Sequence, residues 1–191
     1  MKKVLIATTN KDKYQAVTNI FKKTIFNEKE YEIVSQTKDM NIPEEKESGS
    51  CRERARKKAL NAYKYLKDYN YDYIVGLDDA LVLRDRIEPN IKEYISKIIF
   101  DNYLEDGEEY AFKRAYCIID KMGNLYEIDL DIPEIYHPLK KDFIIEDNTY
   151  PLSHVSYPIG FDKPVCELSN EEITNYYLQF VKEELLSLKI K

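Results

Sequence analysis

Apolar positions along the chain recur with the periods of a mixed α/β fold. Val4 to Ala7 are continuously apolar, the pattern of a strand buried on both faces. The polar stretch that follows leads into a helix on which Tyr14, Val17, Ile20 and Phe21 share one face. Residues 31 to 36 read as a second strand, followed by a polar loop from Lys38 to Ser50. Ser50 and Glu53 form an S-x-x-E capping box opening a helix with an apolar stripe of Ala55, Ala59, Ala62 and Leu66. Tyr73 to Leu77 predict a buried strand ending at Asp78 and Asp79, with Leu81 to Leu83 continuing extended. Ile91, Ile95, Ile98 and Ile99 share a helical face. Residues 109 to 119 and 124 to 132 flank a turn from Asp120 to Gly123 and predict a hairpin, with a shorter strand at Phe143 to Ile145. A last helix starts at Ser169, whose capping partner is Glu172, and buries Ile173, Tyr177, Phe180, Val181, Leu185 and Leu188.

Strand and helix in alternation, then a hairpin, predict a mixed sheet with helices packed on it. No repeat, Pro/Ser-rich linker or long charge block divides the sequence, so residues 1–191 read as a single α/β domain. A chain of this length buries roughly 70% of its extended surface on folding and needs no disulfide or structural metal to hold a core. Cys51, Cys117 and Cys166 are odd in number and form no CxxC or Cys/His cluster, which fits a reducing cytoplasm. The apolar run near the N-terminus is too short for a signal peptide or a membrane span. Lys+Arg 29 against Asp+Glu 35 gives a net charge of -6, which argues against nucleic acid or an anionic membrane as partner. A small polyanion needs only a local basic pocket or a metal ion. The 17 tyrosines are spread along the whole chain and single out no surface.

Three segments carry residues suited to phosphate and metal chemistry. Thr8, Thr9, Asn10 and Lys13 follow the first strand, where backbone N–H groups at a helix N-terminus hold a phosphate. A polar loop with a capping Asn or Thr is equally what a strand-to-helix junction looks like. Glu44, Glu45 and Glu47 precede Gly49 and a basic helix with Arg52, Arg54, Arg56, Lys57 and Lys58. Carboxylates beside cations suit Mg²⁺ and phosphate together, and a solvated helix face is the plainer reading. Arg54 and Lys58 flank the Ala55/Ala59 stripe and point along a cleft edge, whereas Lys57 reads as solvated and Arg56 as unremarkable. Asp78 and Asp79 lie at the end of an apolar strand, where two acids are costly unless paired, hydrogen-bonded or metal-bound. Strand alternation sends them to opposite sides, one facing a cleft and the other serving as support or as a turn cap.

Together, Thr8-x-Asn10-x-x-Lys13 after the VLIA strand, Glu47-x-Gly49 followed by Glu53, Ala55, Lys58 and Ala59, and Asp78-Asp79 after a strand resemble the inosine triphosphate pyrophosphatase family. The order and spacing match over roughly the first 85 residues, and Cys166-Glu167-Leu168-Ser169 with Glu171 and Glu172 is similar to the family's pattern before its last helix. The resemblance implies a mixed twisted sheet flanked by helices, two lobes with a central cleft, and a homodimer. It also implies a Mg²⁺-dependent hydrolase converting a nucleoside triphosphate and water to a monophosphate and pyrophosphate, acting on non-standard purine nucleotides such as ITP, XTP and dITP. Carried over, Thr8, Asn10, Lys13 and Lys58 bind the phosphates, Glu47 and Asp79 bind metal, and Asp78 or Asp79 orients or deprotonates the attacking water.

The chain departs from the family pattern in several places. Thr9 replaces a glycine, one residue is missing between Gly49 and Ala55, Arg54 stands in place of asparagine, and Ala80-Leu81 follows Asp79 in place of Ser-Gly-Leu. The S-H-R motif is absent after Glu171-Glu172, and only Tyr150-Pro151 is left of the F-G-Y-D-P loop. Both missing parts read the purine base in the family, so altered base recognition is expected. Ser153-His154 and His137 take over no role by position. Two further readings stand beside the first: a catalytically silent relative that binds a nucleotide or a partner, and a pyrophosphatase for a non-purine nucleotide, as in the Maf-like enzymes.

Overall fold

A computed structural model describes residues 1–43, 48–66, 68–139 and 150–190. Its frame is a seven-stranded mixed sheet: β1 (Lys2–Ile6), β2 (Tyr31–Ser35), β3 (Tyr73–Leu83), β4 (Arg86–Glu88), β5 (Glu109–Asp120), β6 (Leu125–Tyr136) and β7 (Ser156–Pro158). The strand order is β2-β1-β3-β5-β6-β7, with β4 folded back on the far end of β3. β1 runs parallel to both β2 and β3, while β3, β5, β6 and β7 pair antiparallel. Four helices accompany the sheet among the described residues: α1 (Lys11–Lys22), α2 (Cys51–Leu66), α3 (Ile91–Phe100) and α4 (Asn170–Ser187).

Sequence periodicity accounts for most of these elements. The Ser50/Glu53 box forms, with Ser50 N donating to Glu53 Oε2 at 2.7 Å and Glu53 N to Ser50 Oγ at 3.3 Å. The whole Ala55, Ala59, Ala62 and Leu66 stripe is buried. Ser169 and Glu172 make the matching box at the start of α4. The hairpin turns at Gly123, whose φ of 86° favours glycine.

Two expectations change, and a third is not tested. β3 does not stop at the aspartates but continues through them to Leu83, because β5 pairs with it across Asp78 and Asp79 and β4 pairs with its last residues. On α4, Tyr176 and Thr174 are buried with Val181 and Leu185, whereas Ile173, Tyr177, Phe180 and Leu188 are only partly covered. The Tyr176 hydroxyl reaches across to the Pro133 carbonyl, which fixes the helix's rotation on the sheet. The strand expected at Phe143 to Ile145 lies outside the described residues.

Strand alternation divides β3 between two layers. Tyr73, Val75 and Leu77 enter a core with α1 and α4, and Leu81 and Leu83 enter a separate core with α3 and the turn at Pro151–His154. Asp79 falls on the same face between these two cores. The opposite face of the sheet meets the alanine stripe of α2. Contact there is so close that a Cβ added at Gly76 would collide with the Ala55 carbonyl oxygen and come within 2.5 Å of Ala59 N. Gly76→Ala should therefore destabilise the protein by about 1–3 kcal/mol through overpacking. Urea unfolding that shows no loss would mean that α2 slides freely on the sheet.

Candidate functional site

β1 ends at Ile6, paired with Val75, so the chain turns into α1 beside the following residues of β3. Thr8 Oγ1 accepts from Asn10 N at 3.2 Å, and Asn10 Oδ1 accepts from Lys13 N at 2.9 Å, which makes Asn10 the N-cap of α1. One turn into the helix, the Lys13 ammonium lies 3.1 Å from Asp79 Oδ2. The other oxygen, Oδ1, accepts from Arg114 Nε at 2.8 Å. Arg114 is the residue directly opposite Asp79 in the β3–β5 pairing, so the two side chains share a face. Burial alone would raise the Asp79 carboxyl, but Arg114 and Lys13 together hold it well below the usual carboxylate range. Burial likewise opposes charge on Arg114, and Asp79 more than offsets it, so the guanidinium stays protonated.

Asp78 faces the other way. Its Oδ2 accepts from Arg54 Nε and its Oδ1 from Lys58 Nζ at 2.7 Å, both on α2. Arg54 also donates to the carbonyls of Gly49 at 3.3 Å, Asp79 at 2.9 Å and Pro89 at 2.7 Å. It thereby joins the loop before α2, the middle of β3 and the segment leading into α3. Lys57 turns outward to Ser48, and Arg56 makes an exposed pair with Glu127.

Of the residues singled out in the sequence, Thr8, Asn10, Lys13 and Asp79 gather at one place, with Arg114 added. Lys58 and Asp78 form a second group on the opposite face of β3. Glu47 lies outside the described residues, as do Glu44 and Glu45. Arg114 was missed because no motif marks it, although an arginine inside the apolar run of residues 109–119 is itself a signal of a buried charge awaiting a partner. Among the described residues no three His, Cys, Asp or Glu side chains gather as a metal site. Asp79 is nonetheless a suitable single donor: each carboxylate oxygen retains a lone pair, and Mg²⁺ uses one or two carboxylates with water and phosphate oxygens completing its shell. Cys51, Cys117 and Cys166 are free thiols; the first two are buried, and Cys166 Sγ lies 3.2 Å from His154 Nδ1. His137 pairs with Asp106.

A second buried acid sits further along the same face. Glu134 on β6 is 1% exposed, with the Tyr110 hydroxyl at 3.4 Å and Ser156 bonded to that hydroxyl. Burial raises its carboxyl to about 7, with Ser156, Tyr110 and Arg114 pulling weakly the other way. Between about pH 4.5 and 7 the folded protein thus keeps a proton that the unfolded chain releases. Its contribution to stability is full below about pH 4.5 and is lost as pH rises through about 7. Glu134→Gln should remove that loss, on the order of 3 kcal/mol, so the variant gains on wild type between pH 5 and pH 8. Parallel stability profiles for the two proteins in urea would refute the buried, protonated acid.

No described helix is long and apolar enough to cross a membrane. The sequence matches no protein-family model and no curated protein. Solved structures do match over nearly the whole chain. A HAM1 protein from Coxiella burnetii superposes with a TM-score of 0.64 at 13% identity, covering 99% of this chain and 98% of that one. A nucleoside-triphosphatase described as a dITP/XTP pyrophosphatase from Mycobacterium abscessus gives 0.56 at 16%, covering 97% of each. The Ham1 protein of Staphylococcus aureus gives 0.55 at 15%, covering 97% of this chain and 94% of that one. The chain therefore has the Ham1/ITPase-like α/β fold expected from the sequence.

Proposed function

We propose that this protein is a diverged member of the inosine triphosphate pyrophosphatase family, a Mg²⁺-dependent hydrolase that converts a nucleoside triphosphate and water to a nucleoside monophosphate and pyrophosphate. Non-standard purine nucleotides such as ITP, XTP and dITP are its substrates, with altered base recognition. A homodimer and a cytoplasmic location belong to the same proposal.

The observation that carries the reading is the convergence of Thr8, Asn10 and Lys13 at the start of α1 with the buried, ionised Asp79 of β3. An N-terminal helical turn and a lysine suit phosphate oxygens, and a carboxylate kept ionised suits a metal or an attacking water. Asp79, with Glu47 as the second carboxylate, would hold Mg²⁺, which would neutralise phosphate charge. Asp79 holds its proton-free state against burial because two cations face it, and it is therefore able to orient a water molecule. Lys13 turns from Asp79 to the phosphates when substrate enters. Asp78, fixed by Arg54 and Lys58, keeps this part of β3 in place from the opposite face of the strand.

Phosphorus NMR of products, with Mg²⁺ and a panel of ITP, XTP, dITP and the common nucleotides, tests the proposal. Pyrophosphate and a monophosphate in equal amounts are expected, and the panel names the base. The pairing of every Asp78 and Asp79 carboxylate oxygen with a cation favours a second reading, a nucleotide-binding relative without turnover. A folded sample that binds nucleotide and turns over none of the panel would establish that reading instead, and turnover confined to pyrimidines would establish a non-purine pyrophosphatase.

A further inference from the structure

Arg114 commits Nε to Asp79, and the Tyr116 hydroxyl lies beside the rest of its guanidinium without closing a well-formed hydrogen bond. Nε donates to Asp79, while among the described residues neither Nη1 nor Nη2 has a hydrogen-bond acceptor, and Nη1 is fully buried. A guanidinium carries five N–H donors and no acceptor, so a largely buried one with unmatched donors is a costly feature for a fold to keep. The group is held firmly: its strand register sets it opposite Asp79, and the Tyr177 ring lies 5.7 Å from its centre. It is not sealed in, since 11% of the side chain remains exposed. Lys13 meets the other oxygen of the same carboxylate, so both cations stand at the N-terminus of α1.

We propose that Arg114 is a substrate-phosphate ligand, meeting a phosphate oxygen through Nη2 while Nε keeps Asp79 in place. The inference rests on the nucleotide reading above and adds to it a residue that the sequence motifs do not include. A planar guanidinium donates to the Asp79 carboxylate through Nε and to a phosphate oxygen through Nη2 at once, a fixed pairing that a lysine cannot reproduce with its single ammonium. A residue that merely positioned Asp79 would need only Nε. The unpartnered Nη2 is the feature that distinguishes a ligand from a brace.

Calorimetric titration of inorganic tripolyphosphate into wild type and Arg114→Lys, without added metal, tests this directly. Lysine preserves the charge beside Asp79 and loses the fork, so binding should weaken roughly ten- to hundredfold while the melting temperature shows a folded protein. Equal affinity in the two proteins would overturn the proposal and leave Arg114 as a positioning residue, and a wild type that does not bind would overturn it as well. If the variant does not fold, guanidinium ¹⁵N–¹H spectra of wild type give the answer. Tripolyphosphate should shift the Arg114 Nη resonances, and unshifted resonances would overturn the proposal. A wild type that binds tripolyphosphate through Arg114 yet releases no pyrophosphate from any nucleotide would support this inference while defeating the hydrolase.

Discussion

Asp79→Asn is expected to lower pyrophosphate release roughly 10³-fold. Asparagine keeps the shape of the side chain and one acceptor oxygen, but it has no charge to hold a metal or polarise a water. The same change leaves Lys13 and Arg114 facing a neutral group, so stability should fall by about 1–3 kcal/mol at neutral pH. pH separates the two effects. Because the folded Asp79 carboxyl is held below the usual range, its stabilisation is present above the unfolded carboxylate range and is lost as pH falls through the folded value. The stability gap between wild type and variant should therefore narrow as pH drops below about 4. Product analysis by phosphorus NMR and urea unfolding at several pH values check both. Turnover within tenfold of wild type would remove Asp79 from the chemistry.

Arg54→Ala carries the largest expected loss of stability, roughly 3–5 kcal/mol. Arg54 is one of the few charged residues that is nearly buried, and it holds Asp78 as well as the carbonyls of Gly49, Asp79 and Pro89. Removing it leaves Asp78 with Lys58 alone and takes the donor from three backbone acceptors. A fall in melting temperature of about 10 °C follows for a chain of this size. Arg56, two residues along the same helix, makes a solvent-exposed pair with Glu127, and its alanine variant should melt close to wild type. Similar melting of the two variants would show that the contacts of Arg54 across β3 and toward α3 hold nothing together. If Arg54 is a brace and not a substrate ligand, Arg54→Lys should recover part of the stability and alter kcat more than KM.

The fold was legible where one element's own sequence decides its state. The capping boxes at Ser50 and Ser169, the alanine stripe of α2 and the hairpin at Gly123 depend on residues three to five apart, and all are present. The opposite orientation of Asp78 and Asp79 was also readable, because neighbouring side chains in any strand alternate. The end of β3 was not. Two acids after an apolar run look like a terminus, and only pairing with β5 makes it favourable to carry the strand through them. On α4 the expected Val181 and Leu185 are buried and Tyr177, Phe180 and Leu188 pack on the core, but the burial of Tyr176 was not readable, because the Pro133 carbonyl that accepts from its hydroxyl lies on another element.

The candidate site divides in the same way. By itself the sequence determined the Thr8-to-Lys13 segment as the start of a helix, placed Asp79 on one face of a strand, and set Arg54 and Lys58 together on one side of α2, since each rests on local spacing. Only the tertiary structure decided that Lys13 and Arg114 would share Asp79, that Arg54 would span from β3 to Pro89, and that burial would raise the Glu134 carboxyl to about 7. Arg114 and Asp79 are 35 positions apart and meet because β3 and β5 pair in one register. A shift of one residue would send Arg114 to the other face of the sheet. Short-range spacing fixes which way a side chain points; strand register and the layers packed on the sheet fix what it meets, and that meeting sets its charge, its titration and which donors stay unpartnered.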